Sequence, residues 1–141
     1  MQKSGLFNSS GGDRVYDATD FAGYFSKLVT NGIFYADTNN LKVTAGEGMH
    51  LLINPGSAFI KGYAYENTEA LELTLNTANG TKARVDRVVL RLSAIERSIY
   101  LAIKQGTASD QPVPLALERT PDTYELGLAD VLIGKGVVSI T

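Results

Sequence analysis

The stretch from Arg84 to Gln105, RVDRVVLRLSAIERSIYLAIKQ, constrains this chain more than any other, because it holds two runs of strict alternation around a short polar turn. Val88, Leu90 and Leu92 share one face of the first run, and Ile99, Leu101 and Ile103 share one face of the second. Setting Leu92 opposite Ile99 pairs Leu90 with Leu101 and Val88 with Ile103, and leaves Ala94 to Arg97 as the turn. A slip of one residue would turn every one of these aliphatic side chains to the wrong side, so the register is specified. The same register sets Arg91 across from Tyr100, within reach of a cation–π contact, and Arg87 across from Lys104, a like-charge pair that opposes it mildly. A lone hairpin is marginal in water, so the rest of the chain must cover this apolar face.

With 141 residues the chain fits one domain, long enough to bury roughly two thirds of its unfolded surface. A hydrophobic fraction of 44% against 20% charged is what a globular core requires. The absence of cysteine excludes a disulfide framework, a thiolate zinc site and a cysteine nucleophile together. Thirteen basic and fifteen acidic residues, without a run of like charge, lack the electrostatic footprint of a nucleic-acid binder. No apolar stretch approaches membrane-spanning length, and MQKSGLFNSSGGDR has no apolar core of a signal peptide, so a soluble chain without a secretion signal is expected.

Residues 1–16 are rich in Gly and Ser, with Leu6 and Phe7 as the apolar side chains to bury. They read as an arm, extended and docked on a partner or else floppy. From Ala18 to Thr30 the period changes: Phe21, Tyr24, Phe25 and Leu28 form one stripe of a helix, with Asp17 as N-cap, Asp20 in the first turn, and Asn31 and Gly32 as the stop. This stripe is expected to be core, since a single amphipathic helix on a sheet must bury its apolar face. Strands are expected over Leu41 to Ala45, through Met49, Leu51 and Ile53, over Ala58 to Glu66, through Leu71, Leu73 and Leu75, and at Val137 to Ile140. The proline-rich segment 107–122 is a long connection to a last run, YELGLADVLI, whose alternation changes at Asp130; Leu115 and Leu117 offer to pin that connection to the core. The fold class is therefore mainly β, an antiparallel β-sandwich with one N-terminal amphipathic α-helix, the sandwich domain spanning 17–141.

Few residues suggest chemistry. His50, the sole histidine, lies on the strand face opposite Met49 and Leu51 and reads as a surface residue. Neither a GxSxG elbow nor a phosphate-binding glycine loop occurs. Glu66, Glu69 and Glu72 are close in sequence, as paired glycosidase acids need to be in space, but they flank a turn and read as a solvated rim. Asp37 to Asn40 offers oxygen ligands without the calcium-loop spacing, which a turn explains as well. No cofactor is expected. Asp86 has inward parity and needs a partner, either an arginine such as Arg84 or a backbone turn. Phe59, Lys61, Tyr63 and Tyr65 fall on one face of the Ala58–Glu66 run. With Phe7 in the arm they are the candidate interface, since aromatic rows on a sheet either stack on sugars or are covered by another chain.

Three stretches in order, GGDRVYDATDFAGYFSKLVTNGIF at 11–34, GMHLLINPGSAFIKGYAYEN at 48–67, and RVDRVVLRLSAIERSIYLAIKQG at 84–106 followed by YELGLADVLI at 124–133, resemble the N-terminal region of tail-tip and baseplate proteins of long-tailed phages of Gram-positive bacteria. The chain is similar to small Bacillus siphophage baseplate-type proteins and to the shoulder domain of lactococcal phage receptor-binding proteins. The resemblance implies a β-sandwich with one helix, a non-enzymatic adaptor in the adsorption apparatus and assembly with other tail proteins. It also implies homo-oligomers, a trimer in related receptor-binding proteins, and a place at the virion tail tip after assembly in the host cytoplasm. In those proteins saccharide binding belongs to a head domain downstream of the shoulder, so an adaptor is expected before a receptor binder. The competing expectation is a carbohydrate-binding module that recognises cell-wall glycans.

Overall fold

The computed structural model describes residues 1–35 and 39–141. Among these the chain forms one helix, α1 (Ala18–Phe25), and nine strands: β1 (Gly32–Ile33), β2 (Val43–Ala45), β3 (His50–Ile53), β4 (Gly56–Ile60), β5 (Tyr63–Asn67), β6 (Leu71–Thr74), β7 (Arg84–Ser93), β8 (Ser98–Lys104) and β9 (Thr123–Ile133). They make three antiparallel sheets of three strands, ordered β1-β4-β5, β2-β3-β6 and β8-β7-β9. All three share one core. Leu41, Leu51, Ile53, Ala58, Ile60, Leu75, Val88, Leu90, Leu92 and Ile133 are buried together, so the mainly β, sandwich-like class expected from the pattern is the class observed. Fully burying an aliphatic side chain of this size contributes about 1.5–3 kcal/mol, which is what draws the three sheets onto each other.

The hairpin at the centre forms in the register that its alternation demands. Leu92 pairs with Ile99, Leu90 with Leu101, Val88 with Ile103, and residues 94–97 are the turn. β9 then adds to the other side of β7, so β8 and β9 run parallel with β7 between them. Parallel strands need a long crossover, and residues 105–122 supply it. The change of pattern at Asp130 is a β-bulge. Val88 pairs with Ala129 but Val89 with Gly127, which leaves Leu128 as the extra residue and reverses the parity of everything after it. Asp130 thereby faces Arg87 on the outer side, and Ile133 turns into the core.

Four expectations are corrected. The run Ala58–Glu66 is a tight hairpin rather than one strand: Lys61 (φ 49°) and Gly62 (φ 85°) hold the two positive dihedrals that a type I′ turn requires. Lys61 adopts its strained backbone with its N–H donated to Asn31 Oδ1 at 2.6 Å. The helix stops at Phe25, not Thr30, because Ser26 caps it and Lys27 and Leu28 donate back three residues in tighter turns. Residues 137–140 form no strand, although Val137 and Ile140 still pack on the core and the Ile140 N–H donates to Gly48. The arm is folded on itself rather than extended: the Phe7 N–H donates to the Tyr16 hydroxyl at 3.0 Å, and Asp13 accepts from Ser10 across the Gly11–Gly12 bend.

Asp86 finds the partner that its parity requires. Its carboxylate takes Arg84 Nε at 3.0 and 3.2 Å and the Gly106 N–H at 2.9 Å, and Arg84 donates onward to the Thr77 and Asn76 carbonyls. Both side chains are nearly sealed, 3% and 1% exposed, so neither ion can recover water if the other is removed. Asp86→Ala is therefore expected to cost about 3–5 kcal/mol in urea unfolding, with much of the loss recovered by adding Arg84→Met. A loss below about 1 kcal/mol would mean that the pair is not buried as described.

Candidate functional site

The densest group of charges lies on the outer face of the β8-β7-β9 sheet. Glu125 of β9 has no exposed area, yet it is ionised among cations from the other two strands of its sheet, Arg91 of β7 and Lys104 of β8. Arg91 approaches Oε1 through Nε at 2.8 Å and Nη2 at 2.7 Å, Lys104 Nζ approaches Oε2 at 2.8 Å, and the Glu118 N–H donates to Oε2 at 2.7 Å. Burial pushes the Glu125 carboxyl upward, but the hydrogen bonds from Lys104, from the Glu118 backbone and from Arg91 outweigh it and hold the pKa below the usual value. Four residues along β7 from Arg91, on the same face, Arg87 grips Asp130 bidentately at 2.6 and 2.8 Å, and this lowers the Asp130 pKa and raises that of Arg87.

This network corrects two expectations about the hairpin's outer face. The Arg87–Lys104 repulsion is neutralised by two carboxylates from a strand distant in sequence. Arg91 still sits opposite Tyr100, but its guanidinium is taken by Glu125. The crossover 105–122 is laid over these charges as a strap. Arg87 Nη1 donates to the Leu115 carbonyl and Lys104 Nζ to the Ala116 carbonyl, both at 2.8 Å, while the Glu125 N–H donates to the Glu118 carbonyl at 3.1 Å. The strap explains why Val89, which points outward, has no exposed area. Every charge in the cluster has a partner in the chain, so its chemistry is to hold the strap down.

The predicted aromatic row does not share a face. In the β4–β5 hairpin Ala58 pairs with Tyr65 and Ile60 with Tyr63 on the core side, while Phe59 and Ala64 pair on the other. Tyr65 packs against the core, where burial raises its pKa, and Tyr63 stays exposed at the edge. Lys61 is at the turn, its Nζ reaching the Thr120 carbonyl and the Tyr124 ring, which Arg119 covers from 3.9 Å. Phe7 is exposed in the arm, beneath Arg14. Four of the five are thus divided among core, turn, edge and arm, and the fifth, Phe59, lies on the opposite face of the hairpin against Phe25 and Phe34.

Phe59 belongs to a second apolar surface, built around α1. Asp17 caps α1 by accepting the Thr19 and Asp20 N–H groups, and Asp20 accepts that of Asp17 in return, a capping box that starts the helix where the sequence marks it. What the helix buries is Ala22. Its backbone rests on Gly62 so closely that a Cβ at Gly62 would overlap the Ala22 carbonyl. Docking on this flank turns the stripe outward, contrary to the expectation that it is core. Phe21, Tyr24, Phe25 and Leu28 are 43% to 65% exposed. Edge-to-face rings run from Tyr24 to Phe25 at 5.8 Å, Phe25 to Phe59 at 6.5 Å and Phe59 to Phe34 at 6.0 Å, which joins the helix to the end of β1. More than half of the large hydrophobic side chains left exposed among the described residues lie at or before Tyr35.

The remaining polar candidates are occupied. His50 Nδ1 lies 3.0 Å from Glu72 and 3.2 Å from the Thr74 hydroxyl, a half-exposed cross-strand group. Glu66 is on β5 and Glu72 on β6, in different sheets. Glu66 lines an open hollow of about 540 Å³ with Asn39, Asn40, Asn54, Ser57, Asn67 and Thr68. Asp37 lies outside the described residues, and Asn40 spends its amide on the Ser57 backbone and the Phe34 carbonyl. No protein-family model, curated protein or solved structure matches this chain.

Glu125 and Asp130 have folded-state pKa values below those of the unfolded chain. Their contribution to stability is complete above about pH 4.3, where unfolded carboxylates are ionised, and is lost as pH falls through the folded values. Glu125→Gln, which leaves Arg91 and Lys104 without their shared counter-charge, is expected to cost about 3 kcal/mol near neutrality and to flatten the acid limb. Urea midpoints taken from about pH 7 to about pH 3 check this, and an unchanged acid limb in the variant would contradict it.

Proposed function

We propose that this protein is a non-enzymatic structural component of a phage tail tip or baseplate, an adaptor that acts by binding copies of itself and neighbouring tail proteins. The observation that carries the reading is the aromatic face at α1, an apolar surface at the upper end of what an isolated monomer ordinarily leaves in water. The ordered similarity of the three stretches to tail-tip and baseplate proteins gives that face its setting, the virion. The charged side chains best suited to acid–base work, Glu125 and Asp130 with their cations, spend their capacity on the strap.

The second reading is a carbohydrate-binding module. Its support is the polar hollow beside Glu66, whose amides and hydroxyls are the groups that recognise sugar hydroxyls, with Tyr63 exposed on the same hairpin. Two experiments separate the readings. Gold-labelled antibodies against the chain are expected to decorate the tail tips of particles from cells that carry its gene, and purified protein is expected not to be retained by host cell-wall glycan. Saturable glycan binding lost in Tyr63→Ala, with no labelling of tails, would overturn the adaptor reading. Tyr63 is the cleaner probe, since Tyr65→Ala also opens the core.

A further inference from the structure

We propose that the stripe Phe21, Tyr24, Phe25 and Leu28, with Ile33 and Phe34 beside it, is the surface by which two copies of this chain pair about a two-fold axis, helix against helix and antiparallel. The inference rests on the assembly reading above, names the face that assembly uses, and departs from the trimer that the resemblance implies.

Area is the first argument. At roughly 200 Å² for an aromatic side chain and somewhat less for an aliphatic one, the six residues leave roughly 550 Å² exposed. Val15 and Tyr35, almost fully exposed at the margins, bring the total to roughly 850 Å². A specific interface buries about 800 Å² per partner, and the largest apolar patch of a typical monomer is about 300–600 Å². The face is therefore large enough for one partner of this chain's own size.

Charge selects the partner and its direction. Asp20 is in the first turn of α1 and Lys27 is two residues past its end, seven residues apart, a spacing that returns to nearly the same side of the helix axis. They flank the stripe on the same side, one near each end. Rotation by half a turn about an axis lying in the contact plane and perpendicular to the helix reverses the helix direction but keeps that flank. Asp20 of each copy then meets Lys27 of the other, twice, at the rim of an aromatic contact. A parallel two-fold arrangement carries Asp20 and Lys27 of the two copies to opposite rims, where neither meets the other's counter-charge. The aromatic stripe is also self-complementary, because rings that stack edge to face on Phe59 within one copy can continue that pattern onto a second. A lipid surface is the poorer fit: from Ala18 to Leu28 the segment carries a single cation, Lys27, where interfacial helices line their polar face with Lys and Arg.

The full-length chain is tested by light scattering on eluted fractions across a wide concentration range. The expected species at high concentration has twice the 15.1 kDa chain mass. Phe21→Ser with Leu28→Ser, at exposed positions, is expected to weaken pairing at least tenfold with an unchanged circular dichroism spectrum and melting midpoint. Lys27→Glu, which sets like charges together, is expected to weaken it severalfold. The chain has no cysteine, so Leu28→Cys gives a clean second readout. Its maleimide labelling should slow as concentration rises, while Ile95→Cys, exposed in the β7–β8 turn, should label at one rate throughout.

A chain that stays monomeric overturns the inference. So does a three-copy particle, and so does an oligomer indifferent to the Phe21 and Leu28 changes. Protection of Leu28→Cys by phosphatidylcholine and phosphatidylglycerol vesicles alone would reassign the face to lipid. A monomer that still labels tail tips would end this inference and leave the adaptor reading standing; a dimer absent from tails would do the reverse.

Discussion

A carboxylate with no access to water, held by cations from two other strands, ties the molecule together. Glu125 joins β9 to Arg91 on β7 and Lys104 on β8, and it accepts the backbone of the strap that seals it in. A buried charge is costly unless it is fully paired, so the cluster forms only when all three strands and the strap are in place at once. The bulge at Leu128 belongs to the same constraint. Without it Asp130 would point into the apolar core, and Arg87 would face Lys104 with no counter-charge.

That arrangement has a consequence for what the molecule can do. Its strongest charges are turned inward to fasten a crossover, while aromatic side chains that would ordinarily form a core are turned outward on α1. The inversion follows from one small contact. Ala22 on Gly62 brings the helix backbone close to the hairpin tip, and only that flank is covered. The exposed apolar side chains among the described residues are concentrated in the first part of the chain, and it is on them that the proposed assembly role rests.

Strict alternation made the central hairpin legible, register and turn included, because one slip would have exposed an entire aliphatic row. Asp17 was legible as a cap and Asp86 as a charge that needed a partner, both from local rules. What stayed hidden was long-range. Glu125 and Asp130 gave no local sign of answering the Arg87–Lys104 repulsion, although an unneutralised pair in an otherwise certain register was itself a request for acids from elsewhere. Lys61–Gly62 was missed as a turn because the alternation on either side runs through it without a break; the glycine was the available signal. The helical stripe was visible, but its burial was not, since period shows which residues share a face and not what covers it.

Hydrogen exchange at the amide of Glu118, which donates to Glu125 from the strap, tests the central claim most directly. If the buried carboxylate fastens the strap to the sheet, this amide exchanges with the protection of β7 itself and loses it together with β7 on unfolding. Exchange at the rate of an open loop, while β7 stays protected, would show that the strap is free of the sheet and that Glu125 does not hold the structure together.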